Sequence, residues 1–293
     1  MTVGVLAMAY GTPRDRDDIE AYYTDIRRGR TPPPELLADL VRRYDALGGT
    51  FPLRALTDAQ VAALASSLGP SYVVTLGTKH SVPRIEEAVE TLAAQGVSRI
   101  VGLVLAPHYS AFSVGEYAAR AAAAGSALGL SVDVVSAWHL LPAYLDFLDR
   151  AVGTALSTMP AGTEVVFTAH SLPERILVTG DPYPAQLRET AEAVAARRPG
   201  VPWSVAWQSA GRTPEPWLGP DILEVLRARA AEGAPGVVVC ACGFVADHLE
   251  VAYDLDIEAA SLAAELELPF ARTASVNDDP SVLAALAAVV AAR

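Results

Sequence analysis

Short apolar runs alternate along the chain with longer segments in which apolar positions recur every three or four residues. The short runs are typical of buried strands, and the longer, Ala-rich segments are typical of helices. The predicted strands span Val3–Ala9, Tyr72–Leu76, Ile100–Leu105, Val132–Val135, Glu164–Thr168, Trp203–Trp207, Val237–Cys240 and Phe270–Thr273. The main predicted helices span Pro83–Gln95, Gly115–Ala124, Ala143–Ser157, Ala185–Arg197 and Asp221–Glu232.

This alternation predicts an α/β fold with parallel sheets and right-handed crossovers. Eight strands could close into a barrel, but the first connection, from Gly11 to Ser71, is long enough for several helices and favours open sheets. The pattern breaks near residues 138–142 and resumes with a similar series of four strands. We therefore predict two doubly wound domains, residues 1–140 and 141–293, with the last helix free to pack back on the first domain.

Composition and charge narrow the class of protein. The 293 residues are 52% apolar and 19% charged, which predicts a folded globular chain. A net charge of -12 argues against a nucleic-acid partner, because a surface that binds nucleic acid must carry positive charge to neutralise phosphates. The N-terminal apolar run lacks a basic region before it, and no apolar run is long enough to span a membrane. We therefore expect a cytoplasmic protein with no integral membrane segment.

Two cysteines, Cys240 and Cys242, lie two positions apart on a predicted strand. A disulfide between them would need unusual geometry, so we predict two reduced thiols. Two cysteines also cannot supply the four ligands of an iron–sulfur cluster within one chain. We therefore expect no such cluster.

The carboxyl ends of the predicted strands carry the candidate chemistry, since ligands of open α/β sheets bind there. Four of the five histidines lie at this edge or in the loop that follows it, and this clustering predicts an active site. Two interpretations of His170 remain open. It is either a hydrogen-bonded packing residue or a functional residue that accepts a proton or binds a metal ion. Together with Glu250 it would form a site that accepts a proton.

An acidic series follows the seventh predicted strand, with Glu250, Asp254 and Glu258 at helical spacing on one face. Such carboxylates repel one another unless a cation compensates them, and oxygen ligands suit divalent metal ions. A solvated acidic helix face is the alternative, and this segment alone leaves both interpretations open.

Basic residues are concentrated in one group, Arg27, Arg28 and Arg30, which is followed by Arg42 and Arg43. In an acidic chain this group indicates a carboxylate or phosphate ligand. The alternative is a basic helix C-terminus that the helix dipole favours.

Long motifs that cover nearly the whole chain resemble the ferrochelatase family, most closely its soluble bacterial branch that inserts iron into coproporphyrin III. The motifs are MAYGTPRDRDDIEAYYTDIRRGR, RRYDALGGTFPL, APHYSAFSVGEY, TAHSLPERI, GDPY, AWQSAGRTPEPWLGPD and GFVADHLEVAYDLDIEA. The resemblance implies two similar Rossmann-like domains with parallel four-stranded sheets and a porphyrin cleft between them. It also implies an enzyme of haem biosynthesis that uses ferrous iron as a substrate, with no permanently bound cofactor.

The resemblance further implies that His170 and Glu250 form the catalytic pair on one side of the porphyrin, with Tyr10 on the other side near the metal. The implied metal ligands are His170, Glu250, Asp254 and Glu258. The residues expected near the porphyrin propionates or at the cleft rim are Arg28, Arg43, Lys79 and Tyr117, to which the basic group adds Arg27.

One position departs from the family pattern, because Thr50-Phe51 stands where the soluble members usually have a residue followed by serine. A phenyl ring thus replaces a hydroxyl that would bind a propionate.

Alternative functions are a protoporphyrin IX ferrochelatase, a sirohydrochlorin or cobalt chelatase, and a non-catalytic porphyrin-binding protein. We expect a monomer that passes its product to other haem-pathway enzymes.

Overall fold

Two separate four-stranded sheets, both entirely parallel, form the framework of the computed structural model, which describes residues 2–49 and 52–293. This confirms the predicted α/β class. The strands are β1 (Val3–Ala9), β2 (Tyr72–Thr78), β3 (Ile100–Val104), β4 (Val132–Val135), β5 (Glu164–His170), β6 (Trp203–Gln208), β7 (Val237–Cys240) and β8 (Phe270–Arg272).

The two sheets have the same topology, with strand orders β2-β1-β3-β4 and β6-β5-β7-β8. In each sheet the first strand lies between the second and the third, so the chain reverses its direction of winding there. Such switch points are where open α/β sheets bind ligands. Tyr10 directly follows β1 and His170 ends β5, so the two residues occupy equivalent switch points of the two sheets.

Helices fill every connection, and three of them occupy the long segment between β1 and β2. The helices are α1 (Ile19–Ile26), α2 (Pro34–Ala46), α3 (Pro52–Leu68), α4 (Ile85–Ala94), α5 (Val114–Ala127), α6 (Pro142–Leu156), α7 (Arg175–Val178), α8 (Tyr183–Ala195), α9 (Ile222–Ala231), α10 (Leu249–Val251), α11 (Ala260–Glu265) and α12 (Pro280–Ala291). A 3-10 turn covers Arg16–Asp18, and a π-helix, Ala252–Ala259, joins α10 to α11.

One continuous apolar core connects the two sheets. It contains Leu103 of β3 and Phe167 of β5, and it continues through Leu64 of α3 to Leu286 of α12. Complete burial of side chains of this size stabilises a fold by about 1.5–3 kcal/mol each. Helix α12 packs directly on α3, although their positions in the sequence are far apart.

Two further observations concern the thiols and the helices. Cys240 and Cys242 are both free and buried. Within residues 2–49 and 52–293, no helix combines the length and the apolar character that a membrane crossing requires.

Candidate active site

His170 and Glu250 lie side by side, as their strand-end positions predict. His170 Nε2 is 3.5 Å from Glu250 Oε1, and both side chains are about one-third exposed, at 32% and 38%. His170 Nδ1–H donates to the carbonyl of Ser171, and the Tyr183 hydroxyl donates to the carbonyl of His170 at 3.1 Å. The bond from Nδ1 orients the ring so that Nε2 faces the carboxylate, and the bond from Tyr183 holds the backbone at this position.

The charges of this pair determine its protonation. Burial disfavours the imidazolium, but the carboxylate of Glu250 outweighs burial and raises the pKa of His170 to about 8. Burial likewise opposes ionisation of Glu250, and the charge of His170 outweighs it, so the pKa of Glu250 falls well below its ordinary value. At pH 7 the pair therefore rests as an imidazolium next to a carboxylate.

A second imidazole, which the sequence analysis did not assign to the site, lies on the other side of Glu250. His248 Nε2 is 3.9 Å from Glu250 Oε2, and His248 Nδ1 accepts the Val251 amide hydrogen as the N-cap of α10. Burial lowers the pKa of His248 despite the neighbouring carboxylate. The sequence signals for this residue were its membership of the strand-end histidine cluster and its place two positions before Glu250.

The π-helix places the other two acidic residues in different surroundings. Asp254 is buried and accepts a hydrogen bond from the Ser209 hydroxyl, whereas Glu258 is exposed. Burial, with help from the charge of Glu250, raises the pKa of Asp254 to about 7, although the bond from Ser209 and the charge of Arg43 act against this. In the described segments, no group of three His, Cys, Asp or Glu side chains is gathered as a metal site.

Ser209 is a second residue that the sequence analysis passed over. It follows β6 with φ +60°, in the left-handed region, which costs a non-glycine residue about 1–3 kcal/mol. The preceding residue, Gln208, donates through its side chain to the carbonyl of Glu250 at 2.8 Å. The end of β6 thereby holds both Asp254 and Glu250 in place.

Helix α2 packs against the π-helix. Arg42 Nη1 donates to the Tyr253 hydroxyl at 2.7 Å, and Arg43 Nη1 lies 3.3 Å from Asp254 Oδ1. Arg43 also binds Asp39, which forms two more ion pairs, with Arg42 at 2.5 Å and with Arg212 at 2.7 Å. Arg43 is thus already paired twice, and a propionate at this position would share it with two carboxylates.

The remaining basic residues lie along the rim in unequal environments. Lys79 Nζ forms an ion pair with Glu116 and lies 5.5 Å from the ring of Tyr117, which is buried beneath it. Arg28 is 85% exposed and has one long ion pair, 3.9 Å, to Glu116. Arg27 is half-buried, with its guanidinium 5.8 Å from the ring of Tyr23. Arg28 therefore has the most freedom to meet a ligand.

Tyr10, which directly follows β1, lies near enough to Glu250 for that carboxylate to act on its hydroxyl. Its ring is 44% exposed, and burial together with the charge of Glu250 raises its pKa well above the ordinary value. The turn after Tyr10 requires glycine, because Gly11 has φ +95° and a Cβ there would meet Ser81 Oγ at 2.4 Å. The predicted departure at Thr50 and Phe51 lies outside the described residues.

The two four-stranded sheets of identical topology belong to a fold that solved chelatase structures share. SirB from Bacillus subtilis with Fe3+ has a TM-score of 0.59 and 13% identity, over 99% of this chain and 95% of that chain. CbiX, described as the terminal enzyme for biosynthesis of sirohaem in denitrifying bacteria, has a TM-score of 0.55 and 15% identity, over 100% and 99% of the two chains. These similarities concern the fold alone.

Sequence relatives specify the family. The ferrochelatase family model matches residues 2–293. The coproporphyrin III ferrochelatase of Geobacillus thermodenitrificans is 45% identical over 303 residues, which cover 100% of this chain and 96% of that protein. The protein of the same name from Halalkalibacterium halodurans is 42% identical over 98% of this chain and 96% of its own length. The chain belongs to the ferrochelatase family, as its motifs indicated.

Proposed function

We propose that the protein inserts ferrous iron into coproporphyrin III to give coproheme, as a step of haem biosynthesis. The observation that carries the proposal is the His170–Glu250 pair with Tyr10 nearby, in a chain whose relatives at 45% and 42% identity bear that activity in their names. The experiment is anaerobic mixing of the purified protein with coproporphyrin III and ferrous iron. Loss of the free-base absorption bands with turnover supports the proposal, and binding without turnover contradicts it.

The chemistry requires two pyrrole protons to leave while a divalent ion reaches four ring nitrogens. His170 must first lose its own proton and can then accept one from a pyrrole, because an imidazolium has no free lone pair. Glu250 stays ionised and stabilises the imidazolium that forms. A cleft that holds the ring so that its lone pairs turn outward lowers the barrier rather than only binding the substrate.

Several further parts of the proposal concern the protein as a whole. We propose a cytoplasmic monomer with no permanently bound cofactor, whose product passes to another haem-pathway enzyme. We also keep the division into residues 1–140 and 141–293, which is supported by the gap between the end of β4 at Val135 and the start of α6 at Pro142. Gel filtration with light scattering tests the monomer.

Coproporphyrin III is expected to be preferred over protoporphyrin IX by about tenfold in kcat/KM. Coproporphyrin has two more propionates, and an exposed Arg–carboxylate contact contributes up to about 1 kcal/mol, so two of them suffice for that ratio. The rates of both porphyrins with ferrous iron at moderate salt give the ratio. Arg28→Ala should reduce it, because Arg28 is the most exposed of the rim cations described above.

Arg293→Ala is the matched control for this measurement. Arg293 forms an exposed ion pair with Asp133 near the amino end of β4, on the edge of the sheet away from the cleft. The control should keep the wild-type ratio. Equal rates for the two porphyrins in the wild type, or a preference for protoporphyrin, would refute the assignment of substrate.

The acidic residues of the π-helix are expected to act on the supply of iron. Glu258→Gln, alone and combined with Asp254→Asn, should raise the KM for ferrous iron several-fold and leave the porphyrin Kd within twofold. Initial rates at varied iron and porphyrin fluorescence titrations measure the two quantities. Asp256→Asn is the control, because Asp256 lies on the same π-helix but is exposed and paired with Arg272 at 2.6 Å. If neither test variant changes the iron dependence, these carboxylates do not act on the supply of iron and the alternative, an acidic helix face without a metal role, holds.

A further inference from the structure

A further imidazole, that of His80, lies next to Tyr10. His80 lies in the loop after β2, with its ring centroid 4.6 Å from that of Tyr10 and an angle of 59° between the planes. The His80 amide also donates to the carbonyl of Tyr10 at 3.0 Å. The side chain is 12% exposed, so it is held in one place but remains within reach of solvent.

A carboxylate orients this ring. His80 Nδ1 is 2.7 Å from Asp25 Oδ2 of α1, and Arg84 Nη1 lies 2.9 Å from the same oxygen. Burial opposes ionisation of Asp25, but hydrogen bonds from Arg84 and His80 lower its pKa. An ionised carboxylate accepts, so Nδ1 must carry the hydrogen and Nε2 keeps a lone pair. Among the described residues, no hydrogen bond occupies that Nε2.

The charges around His80 keep it neutral. Burial lowers its pKa, the cations Lys79 and Arg120 add to this, and Asp25 alone opposes them. The pKa of His170 is shifted in the opposite direction, because it is raised to about 8. Of these two imidazoles, His80 is thus the one that rests in the form of a proton acceptor at pH 7.

A cavity of about 250 Å³ lies behind this loop. It is lined by Arg14, Asp18, Ala21, Tyr22, His80, Ser81, Val82 and Arg84, so polar side chains share the lining with apolar surface. Water takes up about 30 Å³ per molecule in the liquid, so the cavity has room for several molecules with polar partners. Because Arg14 is mostly exposed, the cavity reaches the protein surface.

We propose that His80, oriented by Asp25, accepts through water the pyrrole proton that leaves the macrocycle on the Tyr10 side, and releases it to the cavity. The pyrrole N–H bond breaks, its electron pair stays on the nitrogen and binds iron, and a new N–H bond forms at His80 Nε2. The second proton leaves on the His170 side. This inference rests on the proposed function, because it supplies one of the two acceptors that metallation needs.

The test uses His80→Ala with coproporphyrin III and ferrous iron, in the absence and presence of millimolar imidazole. A general base contributes about 10²–10⁴-fold, so kcat should fall at least tenfold while the porphyrin Kd stays within twofold. Imidazole should restore part of the rate, in proportion to its neutral fraction as the pH is varied, because the vacated ring position adjoins the cavity. Wild type with the same imidazole controls for ligation of iron by the additive.

His80→Gln is the second variant, since its amide nitrogen keeps a donor for Asp25 but supplies no base. It should lose as much rate as His80→Ala and gain nothing from imidazole. If either variant retains more than half of the wild-type kcat, or if the loss in His80→Ala is not restored by imidazole, the inference is overturned. Failure of the wild type to metallate at all would instead overturn the proposed function, so the two failures are distinguishable.

Discussion

Replacement of His170 by alanine is expected to lower the rate of iron insertion more than tenfold, with the fold unchanged. A tenfold loss is about 1.4 kcal/mol in barrier, which lies below the 10²–10⁴-fold that a general base contributes and therefore serves as a conservative threshold. The side chain is 32% exposed at the end of β5, so its loss leaves no large cavity in the core. Anaerobic initial rates measure the effect, and circular dichroism with thermal melting checks the fold.

The matched control is His139→Ala. His139 is also bonded to a glutamate, with Nε2 2.8 Å from Glu189 Oε2, but it lies after β4 and contacts α8 rather than the cleft. This variant should keep its rate per folded molecule even where its melting temperature falls. A His170 variant with more than a tenth of the wild-type rate would mean that this residue is not the acceptor.

Glu250→Gln is expected to lower the rate by a similar factor and also to change the pH dependence. The attraction of Glu250 is the largest influence that opposes burial at His170, so the amide should bring the pKa of His170 down from about 8. Since neutral His170 is the acceptor, kcat/KM of the wild type should rise with pH through about 8. In the variant, the rise should occur at lower pH, toward a lower plateau.

Nuclear magnetic resonance titration of the His170 ring measures this shift independently of turnover. Glu189→Gln serves as the control, because it removes a carboxylate from His139 and leaves the cleft intact. A His170 that titrates near 8 in both variants would show that Glu250 does not set its charge. A Glu250 variant with wild-type kcat would remove this residue from the catalytic pair.

Most of the framework was predictable because strands and helices differ in the period of their apolar positions. All eight predicted strands are present, and β2 and β5 are longer than predicted, ending at Thr78 and His170. The residues added at these ends are Gly77 and Thr78 in β2 and Ala169 and His170 in β5. Each pair contains one polar residue and one small residue, so the apolar pattern that identifies a strand is too weak there to show its end. Proximity of His170 to Glu250 was also predictable, since β5 and β7 are neighbours in the sheet.

Charge states and distant pairings were not predictable from the sequence. Arg43 and Asp254 are 211 positions apart, and their ion pair exists only because α2 crosses to the π-helix. Tyr117 was expected at the rim and lies buried beneath Lys79, because α5 turns that face toward the core. The protonation of His170 depends on the balance of burial against one carboxylate, which requires a distance rather than a motif.

The contact between α3 and α12 has a consequence for how the protein is made. Helix α3 ends at Leu68 and α12 begins at Pro280, so a ribosome must add about 210 residues after α3 before this partner emerges. Until then, the face of α3 that packs on α12 has no partner on the nascent chain. The strands of the first sheet are therefore complete long before α12 can pack on α3. A chaperone that binds apolar segments has the longest time to bind at α3.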